Sequence, residues 1–211
     1  MLVIPYLSVK FKTMKALYII LGLILVIIIS SQIYACYGQR NIETYPYKVI
    51  KKYDGFETRT YEATLFTSVQ LSTSKYKESS SKGFSILAGY IFGGNATNEK
   101  IAMTSPVAMT LDDSMTMMFM VPKDSENKLP KPNDHQIQFK EEPAKKVAAI
   151  TFGGWANQEK IDQYKTQLIE ALKAQNIAFT DQFYFLGYNA PYETSNRRNE
   201  VIVVLENLPM E

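Results

Sequence analysis

The sequence predicts an α+β fold in which a mostly antiparallel sheet carries two main helices and divides into two pseudo-equivalent halves. Three observations lead there. Short runs rich in β-branched and aromatic residues are joined by hairpin-length turns, which suit antiparallel pairing, because parallel neighbours need long crossovers. Two apolar stripes with helical spacing interrupt those runs, and the order of strand, helix and strand recurs along the chain. Finally, 211 residues with 46% hydrophobic content suffice for one domain with a real core but not comfortably for two.

The chain begins with its most unusual stretch. Ala16 to Ile29 are fourteen residues without a charge, preceded by Lys10, Lys12 and Lys15 and followed by Ser30, Ser31 and Gln32. A basic flank, a short apolar run and a polar exit form the layout of a signal peptide. A spanning helix needs about 20 apolar residues, so the same stretch makes a membrane anchor only if 30–35 are included. Met14 offers an alternative start directly before the apolar run. The motif Ile33-Tyr34-Ala35-Cys36 resembles the lipobox of bacterial lipoproteins, although Tyr34 is bulky for it, so lipidation of Cys36, plain cleavage after Ala35 and an uncleaved anchor all stay open. Residues 1–35 are thus expected to act as signal peptide or anchor, 36–42 as a polar tether and 43–208 as the folded domain. The expected location is membrane-associated or exported.

In the domain, Tyr47 to Lys52, Phe56 to Tyr61 and Ala63 to Leu71 read as strands, with Asp54-Gly55 turning between the first two. Phe84, Leu87, Ala88 and Ile91 recur at i, i+3, i+4 and i+7, predicting a helix from Tyr76 to Phe92 that stops at Gly93-Gly94-Asn95. Val107 to Leu111 and Met115 to Val121 form a hairpin about Asp112-Asp113-Ser114. Lys123 to Asp134, with Pro130 and Pro132, is a solvent-exposed connection. Strands Gln136 to Glu141 and Lys145 to Phe152 follow, then a helix from Asn157 with Ile161, Tyr164, Leu168, Ala171 and Leu172 on one face. Phe183 to Tyr188 and Glu200 to Glu206 close the chain. Glu62 to Met103 and Glu142 to Gly187 each read strand, helix, strand, a repeat of pattern rather than of residues.

Composition narrows the chemistry. Twenty-three basic residues oppose 21 acidic ones, and no Lys/Arg-rich run is present, so a nucleic-acid partner is not expected. Removing residues 1–35 leaves 20 basic against 21 acidic residues. Cys36 is the sole cysteine and His135 the sole histidine, which leaves the domain without a disulfide, a thiolate metal site or the base of a hydrolytic triad. No phosphate-binding glycine motif occurs, and Gly93-Gly94 and Gly153-Gly154 read as turns. The domain is therefore expected to be no enzyme. Six methionines between Met103 and Met120 would make either a soft apolar surface or core, and alternation favours core for most of them. Tyr184, Phe185, Tyr188 and Tyr192 gather about Gly187 and Pro191, with Arg197 and Arg198 just beyond. Aromatic walls with guanidinium groups at the mouth suit a planar amphipathic ligand, and surface ion pairs with Glu193 or Glu200 are the plainer alternative.

The segments Glu43-Thr44-Tyr45-Pro46-Tyr47-Lys48-Val49-Ile50, Ile101-Ala102-Met103-Thr104-Ser105-Pro106-Val107, Phe152-Gly153-Gly154-Trp155-Ala156, Gly187-Tyr188-Asn189-Ala190-Pro191 and Arg197-Arg198-Asn199-Glu200-Val201 resemble the SOUL haem-binding family. The resemblance runs from Glu43 to Glu206. It implies a pseudo-symmetric pair of βαββ units and non-covalent binding of haem or another tetrapyrrole by hydrophobic contacts. By position it sets the porphyrin against Phe84, Leu87, Ala88 and Ile91, with Tyr188, Pro191 and Tyr192 opposite and Arg197 or Arg198 near the propionates. His135, in the second-half connection and away from those elements, is not assigned to iron. The implied protein is a non-catalytic carrier or buffer with a small tetrapyrrole as partner, and the N-terminal segment adds a membrane as the second expected partner. The alternative is an effector-binding or hydrolase domain of the same fold, which would need a buried carboxylate of raised pKa, with Glu62, Glu142 and Glu200 as candidates.

Overall fold

A computed structural model describes residues 14–15, 17–27, 29–31, 42–72, 75–112 and 114–206, and the chain divides into two compact units, 1–41 and 42–211. In the first unit every described residue is helical, and side chains such as Leu17, Ile20 and Ile27 are exposed. Among the described residues no helix is long and apolar enough to cross a membrane. Cys36, the expected cleavage point at Ala35 and the tether up to residue 41 lie outside the described residues.

The second unit is a curled antiparallel sheet of nine strands, in the order β1-β2-β7-β9-β8-β4-β5-β3-β6. The strands are β1 (Tyr47–Lys52), β2 (Glu57–Tyr61), β3 (Thr64–Gln70), β4 (Val107–Thr110), β5 (Thr116–Met120), β6 (Ile137–Glu142), β7 (Lys145–Gly153), β8 (Phe179–Gly187) and β9 (Arg198–Leu205). Two helices, α1 (Tyr76–Ile91) and α2 (Gln158–Ala174), pack on one face of it, α1 over β3 and β5, α2 over β7 and β9. β4 and β8, which pair at the sheet centre, therefore run beneath the gap between the helices.

Local chemistry sets these boundaries. The Asn157 side chain accepts the Lys160 N–H at 2.9 Å and caps α2, satisfying a donor that the first turn leaves orphaned. Gly93, at φ +112°, ends α1 in a conformation closed to side chains. Alternation along the strands then sorts the core into two layers. Val69, Met109, Met117, Phe119, Phe152, Phe185 and Val201 face the helices, whereas Tyr61, Phe66, Met118, Met120, Tyr184 and Ile202 face the other way. Met115 and Met117 lie in the first layer and Met118 and Met120 in the second, all buried, so the methionine-rich hairpin is core.

The repeat is real but wider than strand, helix, strand. In its first copy the strand after α1 does not lie before Met103: residues 92–104 form a loop tied down by Asn95, whose side chain bonds Tyr90 O, Glu99 O and the Glu99 N–H, and the next strand is β4. Each copy runs strand, strand, helix, strand, strand. β2-β3-α1-β4-β5 matches β6-β7-α2-β8-β9, and the leading strand of each copy pairs with the other: β2 with β7, β6 with β3. β8 also starts at Phe179, four residues before the expected point. Thr180, Asp181 and Gln182 are polar and partly exposed, so the period was hidden beside a register shift.

Candidate functional site

A row of paired residues crosses the helix side of the sheet: Phe119, Val107, Gly187, Asn199 and Phe152, on β5, β4, β8, β9 and β7. Phe84 of α1 meets Phe119 with ring centroids 5.4 Å apart, and Tyr164 of α2 stacks on Phe152 at 4.3 Å. Val107, Gly187 and Asn199 thus floor the gap between the helices. At one end the helix starts converge, where the Tyr76 N–H donates to Gln158 Oε1 at 3.1 Å and the Tyr76 ring stands edge-on to Phe185 at 5.3 Å.

The loop between β8 and β9 closes over this end. Arg197 stacks its guanidinium on Trp155 at 4.0 Å and donates to the carbonyls of Ala190 at 2.9 Å and Glu193 at 2.6 Å. Asn189 donates to the Glu193 carboxylate and accepts the Arg198 N–H, so the loop is knotted on itself. The hydrogen bonds of Arg197 go to backbone carbonyls, which orient the cation without cancelling its charge. That charge reaches Tyr76: burial pushes its hydroxyl up and the Arg197 charge draws it partly back.

The nine expected binding residues separate. Leu87 is fully buried, and Ala88 and Ile91 nearly so, in the core beneath α1. Phe84 is half-buried at the gap, while Pro191 and Tyr192 are exposed in the loop. Arg197 stands at the gap, but Tyr188 and Arg198 point through the sheet to its opposite face, because β9 starts at Arg198 and the strand period sends alternate residues there. The loop meets the segment before α2 through Arg197 on Trp155, and the start of α1 meets that of α2 through Tyr76 and Gln158. Tyr76 and Trp155 were not among the expected binding residues, although Trp155 stands in the segment Phe152-Gly153-Gly154-Trp155-Ala156 that carries the resemblance.

The opposite face carries a buried ionic cluster. The Glu200 carboxylate, fully buried, accepts Arg59 Nη1 at 2.7 Å and Nη2 at 2.9 Å, Arg198 Nη2 at 2.6 Å and Nε at 3.0 Å, Thr151 Oγ1 at 3.2 Å and Tyr188 OH at 2.9 Å. Burial pushes its pKa up, but Arg59 and then Arg198 outweigh that and hold it below the usual carboxylate range. Burial pushes Tyr61 up to about 12 and Tyr188 well above the ordinary tyrosine value. Glu142, nearly buried, is likewise pushed up by burial yet held low by Lys140 and Lys145. Glu62 is exposed. Neither buried carboxylate has the raised pKa that a proton-donating hydrolase would need.

On the outer side of α1 the Pro-rich connection is not a free loop. Tyr90 OH donates to Pro130 O at 2.9 Å and the Asn133 N–H to Gly94 O at 3.2 Å, bringing the connection against the helix and leaving a groove of about 590 Å³ floored by Ser85, Ile86 and Gly89. The expectation that His135 lies away from α1 is therefore corrected: it is exposed in the turn beside this groove, because the connection docks. It does not line the groove, although Asp134 and Gln136 do.

A family profile described as SOUL heme-binding protein matches residues 42–204. Among curated proteins, haem-binding protein 1 of Sus scrofa is 26% identical over 176 residues, covering 78% of this chain and 93% of its own. Haem-binding protein 1 of Xenopus laevis is 28% identical, covering 72% and 84%, and haem-binding protein 2 of Mus musculus 24%, covering 73% and 80%. Among solved structures, the C-terminal domain of EcmrR superposes with a TM-score of 0.57 at 10% identity, covering 77% of this chain and 99% of that one, a likeness of fold.

Proposed function

The chain belongs to the SOUL haem-binding protein family, and from that premise we propose that it binds haem or another tetrapyrrole non-covalently, as a carrier or buffer without catalysis. The observation that carries this reading is the family match across 42–204, all but the last residue of the sheet and both of the helices packed on it. The residues at the interhelical gap fit such a ligand. Phe84, Tyr76 and Trp155 offer aromatic faces to a flat ring, and Arg197, stacked and held by carbonyls, offers a cation to a propionate. The sole histidine lies on the outer side of α1, so the ring contacts hold the ligand without a histidine.

In this reading the ligand lies between the start of α1 and the β8–β9 loop, with Phe84, Pro191, Tyr192 and Arg197 as contacts from the original set. Leu87, Ala88 and Ile91 support the helix from below, and Tyr188 and Arg198 support the loop from the far face. The apolar run Ala16 to Ile29, behind three lysines, supports delivery to or across a membrane, with lipid attachment at Cys36 tested by mass spectrometry of the mature N-terminus.

Titration of residues 36–211 with hemin and with iron-free protoporphyrin tests the binding. Both should shift the Soret band saturably, and Arg197→Gln should weaken binding about tenfold, the ~1.4 kcal/mol of one charge-assisted contact. A shift no larger than that given by an unrelated protein of the same size would end the proposal.

A further inference from the structure

The face of the sheet away from the helices holds a hollow of about 370 Å³ above the Arg59–Glu200 cluster, lined among others by Tyr47, Lys52, Tyr53, Glu57, Thr151 and Arg198. We propose that this hollow is a second binding site, distinct from the interhelical gap, for a small organic anion carrying a carboxylate on a planar group.

The hydrogen-bond inventory decides the sign of the ligand. Six donated bonds, from Arg59, Arg198, Thr151 and Tyr188, converge on the two oxygens of Glu200, which exhausts its capacity to accept. Arg198 keeps Nη1 beyond those bonds, and its side chain is 40% exposed. Arg59 is locked, with Nε on Glu57 at 2.6 Å and Nη1 also on Tyr61 OH at 3.2 Å. Outward, the floor of the hollow presents donors.

A backbone irregularity adds a second cation. The register between β1 and β2 shifts between Val49 and Lys51, so that Lys52 falls opposite Glu57, on the same side as Arg59. Without that bulge, alternation from Tyr47 and Val49 would send Lys52 to the helix side. Its ammonium is exposed and makes no ion pair among the described residues. Lys52, Arg59 and Arg198 oppose Glu57 and Glu200, leaving one positive charge in excess.

Aromatic side chains in the lining suit a planar group. Tyr53 and Phe56 stack with centroids 4.5 Å apart at 4°, Lys51 Nζ lies 4.6 Å from the Tyr53 centroid, and Tyr47 lies under the Arg59 guanidinium at 4.2 Å. The volume lies at the low end of small-molecule sites. A single ring with a carboxylate is the scale it takes.

The test uses the full chain in mild detergent, with benzoate, inorganic phosphate and benzylamine as probes, followed by calorimetry and by the amide resonances of Gly55 and Thr151. Benzoate should saturate at about millimolar concentration and move those two amides. Phosphate should bind more weakly for want of a ring, and benzylamine should not bind. Lys52→Gln, at an exposed side chain, should leave the melting temperature unchanged and weaken benzoate about tenfold, while Tyr53→Ala should weaken benzoate but not phosphate. Hemin loading should leave benzoate affinity as it was, so the two sites fail or stand independently. Equal binding of benzylamine, an unchanged affinity in Lys52→Gln, or no benzoate binding at about 10-fold excess over about 1 mM would overturn the proposal.

Discussion

Glu200 shows how a single side chain couples the two faces of this protein. Asn199 before it faces the helices and donates to Gly154 O at 2.8 Å, holding the turn that carries Trp155, while Glu200 faces the other way into two arginines. Removing the charge leaves Arg59 buried, and the half-exposed Arg198 beside it, against a neutral amide, so Glu200→Gln should cost about 3 kcal/mol at pH 7. Because the folded pKa of Glu200 is depressed, the folded state binds fewer protons than the unfolded one near pH 4. Its contribution is complete above the unfolded value of about 4.3 and is lost as pH falls through the lower folded value. Urea midpoints of wild type and Glu200→Gln should therefore converge between pH 5 and pH 2, values set by that linkage at roughly two units around the carboxylate range. A gap independent of pH would show that packing, not charge, is what the substitution removes. The sequence marked Glu200 as a carboxylate to check, yet its partner Arg59 lies 141 positions away, and nothing in Thr58-Arg59-Thr60 announces that a guanidinium there is buried.

At the scale of elements, α1 carries two glycines with opposite meanings. A Cβ at Gly83 would stand 2.9 Å from Leu71 Cδ1 and 3.1 Å from Met117 Cβ, whereas one at Gly89 would meet nothing within 4 Å. Alanine favours a helix over glycine by about 1 kcal/mol. Gly89→Ala should therefore raise stability by up to that amount, while Gly83→Ala should lower it by about 1–2 kcal/mol as Leu71 and Met117 are pushed aside. Thermal unfolding of both variants checks the contrast, and equal effects would mean that α1 does not lie as close to β5 as the structure places it. Periodicity had found α1 within one residue and the capped start of α2 at Asn157. It could not tell Gly83 from Gly89, because the distance from helix to sheet depends on what Leu71 and Met117 bring from other strands.

At the scale of the whole molecule, the leading strands are exchanged between the copies, β2 completing the second and β6 the first. Neither copy is then a self-sufficient sheet. A chain cut in the connection near the 3-10 turn Lys123–Ser125 should give fragments 42–127 and 128–211 that are unfolded alone and regain the sheet when mixed, as circular dichroism would show. Cooperative folding of either fragment by itself would refute this.

What the sequence by itself determined is local. Alternation, helical stripes, caps and turn residues set the element types, the α+β class, the buried methionine hairpin and the absence of cysteine or histidine chemistry in the core, since each depends on neighbours a few residues away. The tertiary structure alone decided the exchange of leading strands, which side of the sheet Arg197 and Arg198 occupy, the stacking of Arg197 on Trp155, and the docking of the Pro-rich connection beside α1. Those follow from strand order and register, and a strand's register is set by the summed burial of its whole face against partners far away in the sequence.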